Sequence, residues 1–76
     1  MKSETYYHLK QIINLQHDLA LQELELKRMQ AYYDQNVLML NETQAKIQKL
    51  QILKQTSQVQ ILKLDIDYFK LNNKLE

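Results

Sequence analysis

From Leu9 to Leu75 the chain keeps a seven-residue apolar rhythm with no break in phase. That is the pattern of a helix that must bury a seam against another helix. With heptad position a set at Ile12, the a line passes through Ile12, Leu19, Leu26, Tyr33 and Leu40, then Ile47, Ile61, Tyr68 and Leu75, and Lys54 alone interrupts it. Position d is mixed, since Leu15, Met29, Leu50, Leu64 and Leu71 share it with His8, Gln22, Asn36, Thr43 and Ser57. The expected interaction seam is therefore Ile12, Leu15, Leu19, Leu26, Met29 and Tyr33 in the first half, continued by Ile47, Leu50, Ile61, Leu64, Tyr68 and Leu71 in the second. Polar residues in such a seam either restrict the registers and partners it accepts or simply mark its partly solvated edge.

A second apolar line lies at the f positions, through Leu24, Leu38, Ile52, Val59 and Ile66, and is widened at b by Leu62 and Phe69. Each residue advances an α-helix by about 100°, so this line and the a/d seam lie on nearly opposite sides. A free two-stranded coiled coil has no use for it. The chain is expected to meet helices or a partner on both faces.

Composition agrees with helix throughout. Gly, Pro and Cys are all absent, which removes the usual residues of tight turns and every disulfide or thiolate metal site. Eleven Gln and fourteen Leu are good helix formers. With 76 residues the chain is a single small helical coiled-coil domain, 1–76, of a size that commonly needs oligomerisation or a larger partner to be stable.

Two polar clusters near mid-chain, 34–36 and 41–44, are candidate turns. Asn36 suits a left-handed helix end, and Asn41 followed by Gln44 has the spacing of a capping box. Residues 1–5 are expected to fray, with Ser3 or Thr5 capping a helix that begins near Tyr6. The expected fold is all-α: an antiparallel helical hairpin with helices of about 6–35 and 42–75. One continuous long helix pairing in an oligomer is the alternative, because the heptad phase runs through the proposed turn.

Folding back around residue 38 puts Met29 opposite Ile47, Leu26 opposite Leu50, Leu15 opposite Ile61 and Ile12 opposite Leu64. It also sets the polar Gln22 against Lys54, and an acidic patch of Asp18, Glu23 and Glu25 against Lys46, Lys49 and Lys54. The segment 62–68 alternates apolar and polar as a strand would. Two opposite helical stripes two residues apart produce the same alternation, and no turn residues stand nearby to supply a strand partner.

The functional classes narrow by what the chain lacks. His8 and His17 are nine apart, not at the i, i+4 spacing of a helical zinc pair, so no metal and no cofactor is expected. Asp65 and Asp67 point apart on a helix. A serine nucleophile would require Ser57 with His8 or His17 and has no pocket-forming loops around it, so no enzyme is expected. The longest apolar run, Val37 to Leu40, is far short of a membrane span, and no signal-peptide core follows Met1, which makes a cytoplasmic setting the expectation.

A net charge of +1 with Arg28 as the sole arginine advertises no nucleic-acid partner. Binding through Lys46, Lys49, Lys54 and Lys63 is a distant alternative. The leading expectation is a non-enzymatic protein–protein interaction or assembly subunit that pairs with itself or with another helical protein. A small regulatory binder, such as a chaperone, adaptor or inhibitor laying a helical face on another protein, is its rival. Among the aromatic residues, Tyr33, Tyr68 and Phe69 stand on or beside the seams as candidate interface anchors.

Overall fold

A computed structural model describes residues 2–73, with side chains from residue 4 to residue 72. Two long helices, α1 (Lys2–Asn36) and α2 (Glu42–Asn73), lie antiparallel and are joined by a single 3₁₀ turn, Val37–Met39. The chain is an all-α helical hairpin and not one continuous helix. Its extents are 57 × 15 × 11 Å and its radius of gyration is 17.3 Å, against about 11 Å for a compact domain of this length.

The boundaries follow from local chemistry. Helix α1 begins at Lys2, so residues 2–5 are helical where fraying was expected, and Glu4 places an acid in the positively polarised first turn. Thr5 is inside the helix and does not cap it. The proposed cap by Ser3 and the expected run of α2 to residue 75 fall outside the described side chains and residues. At the far end of α1, Asn36 does not take the left-handed conformation; its φ of −114° and ψ of −3° stay on the right-handed side. Its side-chain amide instead donates back one turn to the carbonyl of Tyr32 at 2.8 Å, and the helix ends without a positive φ.

The reversal needs few residues. Leu40 donates its N–H to the carbonyl of Val37 at 3.3 Å and then adopts an extended conformation, φ −87° and ψ 142°. Asn41 caps α2 as its spacing predicts: the Gln44 N–H donates to Asn41 Oδ1 at 2.8 Å, and the Asn41 N–H donates to Gln44 Oε1 at 3.2 Å. This is a capping box headed by Asn.

Helix α1 turns its a/d stripe inward as expected, with His8, Ile12, Leu15, Leu19, Gln22, Leu26, Met29 and Tyr33 all half-buried. Helix α2 does not. Its inward stripe is the f/b line: Ala45, Gln48, Ile52, Gln55, Val59, Leu62, Ile66 and Phe69 are buried or half-buried. Val59 and Ile66 are the most enclosed apolar side chains described, at 4% and 5% exposure. Meanwhile Ile47, Leu50, Ile61, Leu64, Tyr68 and Leu71 face solvent.

The expected layers across the hairpin are thereby corrected. Gln22 meets Gln55 and not Lys54: Gln55 Nε2 donates to Gln22 Oε1 at 2.7 Å and to the Gln22 carbonyl at 2.9 Å. One residue of slip rotates a helix by about 100° and exchanges one face for another. Met29, Leu26, Leu15 and Ile12 thus do not pack on Ile47, Leu50, Ile61 and Leu64. A heptad count carried through the turn has no meaning beyond it, because the 3₁₀ and extended residues reset the rotational phase of α2. The alternating segment 62–68 is helix, with Leu62 and Ile66 inward and Leu64 and Tyr68 outward.

Candidate interaction surface

Helix α2 carries the main exposed feature. Ile47, Leu50, Ile61, Leu64, Tyr68 and Leu71 recur at alternating three- and four-residue steps along its outer side, with Lys54 and Ser57 filling the middle of the same line. This is a regular heptad seam, about 150° around the helix from the one that packs on α1. Leu64 is 67% exposed, and Leu53 is exposed on the flank of the stripe. The large apolar side chains exposed here fall in two runs on one line, either side of Lys54 and Ser57, and so differ from the isolated exposed leucines that are ordinary on a surface.

The middle of α2 is locally relaxed by two back-bonding hydroxyls. Thr56 Oγ1 donates to the Ile52 carbonyl at 2.8 Å, and Ser57 Oγ donates to the Leu53 carbonyl at 3.1 Å. Such i−4 bonds bend helices slightly. Tyr68 and Phe69 stack edge to face, with centroids 6.4 Å apart and planes at 83°, so the outward ring is braced by its half-buried neighbour. Tyr33, the third aromatic anchor expected, is half-buried on the inner side of α1.

Of the second-face residues, Ile52, Val59, Leu62, Ile66 and Phe69 form the hairpin's own core, whereas Leu24 and Leu38 are exposed on α1 and at the turn. The outer side of α1 is more broken. Tyr6 and Tyr7 pair edge to face at 5.6 Å, and Ile13, Leu21 and Leu24 are exposed beyond them, interspersed with Asn14, His17 and Arg28. At the turn, Leu38 and Met39 are 97% and 84% exposed.

The charges do not assemble as the patches suggested. Glu25 pairs within its own helix with Arg28, at 2.6 and 2.8 Å, and Lys46 pairs with Glu42 at 3.4 Å. The hydrogen bonds from Arg28 hold the Glu25 carboxyl below its ordinary value of 4.5 and raise the guanidinium in turn. Among the described residues, an ion pair crosses the hairpin from Lys63 to Glu23 at 3.8 Å. Lys46, Lys49, Lys54 and Lys63 spread around about half of α2, with Lys54 set apart from the other three, and the four share no one narrow face.

Ser57 lies outside on α2 and His17 outside on α1, on opposite sides of the hairpin, and His8 stands near the far end by Phe69. No serine–histidine pair is brought together among these residues. The Nδ1 atom of half-buried His8 is enclosed without a hydrogen-bond partner. No group of three or more His, Asp or Glu that could hold a metal is present among the described residues, and none of their helices is long and apolar enough to cross a membrane. The concavities are open grooves along the helix pair, one of them between Arg28, Met29 and Tyr32 on α1 and Gln48, Gln51 and Ile52 on α2. Comparison of the chain with protein-family models, with curated proteins and with solved structures returned no match.

Proposed function

We infer that this chain is a non-enzymatic helical interaction module, a subunit that self-associates or packs between partner helices to build an assembly. The observation that carries this reading is the outer seam of α2: a regular heptad stripe left in solvent by a hairpin whose own core encloses little beyond Val59 and Ile66. A two-helix hairpin with so small a core gains from covering that stripe, because burial of apolar surface is the main favourable term it has left to add.

Light scattering coupled to size-exclusion chromatography, run from about 1 to 100 µM, tests it. The expected result is a mass above that of one chain, reduced by Leu50→Glu and Leu64→Glu. A cooperatively folded monomer across that range, indifferent to both substitutions and retaining no helical partner, overturns the reading. The rival reading, a regulatory binder, draws support from a different place. The Tyr6–Tyr7 pair, Leu24 and the turn residues Leu38 and Met39 stay exposed even when α2 is covered. Nucleic-acid binding through the four lysines draws little, since Lys54 stands apart from the other three and Lys46 and Lys63 are already in ion pairs.

A further inference from the structure

We propose that the occupant of the outer α2 seam is the same seam of a second copy, running antiparallel about a two-fold axis at the level of Gln55 and Thr56. This deepens the reading above and rests on it. The argument is the self-complementarity of the stripe from Ile47 to Leu64, with Tyr68 and Leu71 reaching past it to the level of Thr43 and Leu40. Placing the axis there sets Ile47 of one copy against Leu64 of the other, Leu50 against Ile61, and Lys54 against Ser57, with each layer repeated by the symmetry. Every apolar residue in these layers meets an apolar one, and the two polar interruptions meet each other. The Lys54 stem can lie along the seam while its ammonium reaches solvent.

Charge points the same way. Lys46 and Asp67 flank the stripe on the same edge of α2, one near each end. In the antiparallel pair Lys46 of one copy lies within about 3 Å, measured along the axis, of Asp67 of the other, and each leans toward the other because helical side chains tilt toward their own N-terminus. The existing Lys46–Glu42 pair is exposed on both sides and leaves the ammonium free to exchange. Exposed Leu53 falls beside the axis, where the two copies are closest to level. A parallel, in-register pair would stack Lys54 on Lys54 in the seam and bring no opposite charges together.

A charge-swap series measured by sedimentation equilibrium tests the orientation. The wild-type chain is expected at 18.4 kDa, twice the 9.2 kDa of one chain. Lys46→Asp alone and Asp67→Lys alone should each weaken dimerisation about tenfold, by turning two attractive contacts repulsive. The double variant should return to within about threefold of wild type. Within one helix these residues are about 31 Å apart, so recovery can come only from contact between copies.

Spin labels on single cysteines introduced into this cysteine-free chain give the geometry directly. Labels at Leu53→Cys should lie within about 20 Å across the dimer, while labels at Leu71→Cys should be separated by about 45 Å along the axis. Short distances at both positions mean parallel pairing and overturn the proposal. So does a dimer in which the double charge swap recovers nothing, although the interaction reading then stands. A chain that remains monomeric at 100 µM overturns the second copy as occupant, and the interaction reading falls with it only where that monomer also retains no helical partner.

Discussion

Gln55 is the residue on which the register turns. It is nearly enclosed in a helix pair whose other inward positions are mostly apolar, and its side-chain amide donates twice to Gln22, once to the side chain and once to the main chain. Slipping α2 by one heptad would put Gln55 at the level of Met29 or Leu15 and leave its amide without these acceptors, a cost of roughly 1–3 kcal/mol. Gln55→Ala should destabilise the hairpin by about 1–2 kcal/mol in urea unfolding. A double-mutant cycle with Gln22→Ala should show a coupling of about 1 kcal/mol, whereas additivity would mean that the pair does not set the register. At Glu25 the Arg28 guanidinium depresses the carboxyl, so the stability it contributes is present above the ordinary value of 4.5 and is lost as pH falls through the depressed one. Arg28→Gln should therefore narrow its stability gap from wild type as acid is added, a gap kept small by solvent screening of a pair that lies at the surface.

Each helix was legible in its own terms: the absence of Gly and Pro, the Leu and Gln content and the Asn41–Gln44 box mark two helices and the place between them. The apolar positions on both sides of α2 were legible too. What the sequence did not reveal is which of them turns inward. Both stripes of α2 are regular and similarly apolar, so periodicity cannot rank them, and the phase count through Val37–Asn41 assigned the wrong one. A signal was present in the polar residues: Gln22 opposite Gln55 lets one neutral amide donate to the other, whereas Gln22 opposite Lys54 buries a charge for one hydrogen bond. The two faces should separate experimentally. At concentrations too low for association, Ile66→Ala should cost about 2 kcal/mol or more and Leu64→Ala less than about 0.5 kcal/mol, read by thermal or urea unfolding. Equal losses would mean that the inner and outer stripes have been exchanged.

The whole molecule is a thin rod, 15 and 11 Å across, with an apolar stripe on its inner seam and another on its outer edge. Because those stripes of α2 are nearly opposite, two copies joined by the outer one would lie as a flat layer of four helices in the order α1, α2, α2, α1, and not as a square bundle. The turn has a consequence of another kind, in the handling of the chain by proteases. No Lys or Arg occurs between Arg28 and Lys46, so trypsin has nothing to cut at the bend. Chymotrypsin finds Leu38 and Met39 there, almost wholly in solvent and outside either α-helix. A brief chymotryptic digest should yield two halves split near residue 39, and trypsin at the same stage should leave the bend whole. The halves would then have lost their tether, and with it an effective concentration of order millimolar. Circular dichroism of the nicked protein at micromolar dilution should show reduced helix content, which would make this short bend a place where a single scission dismantles the rod.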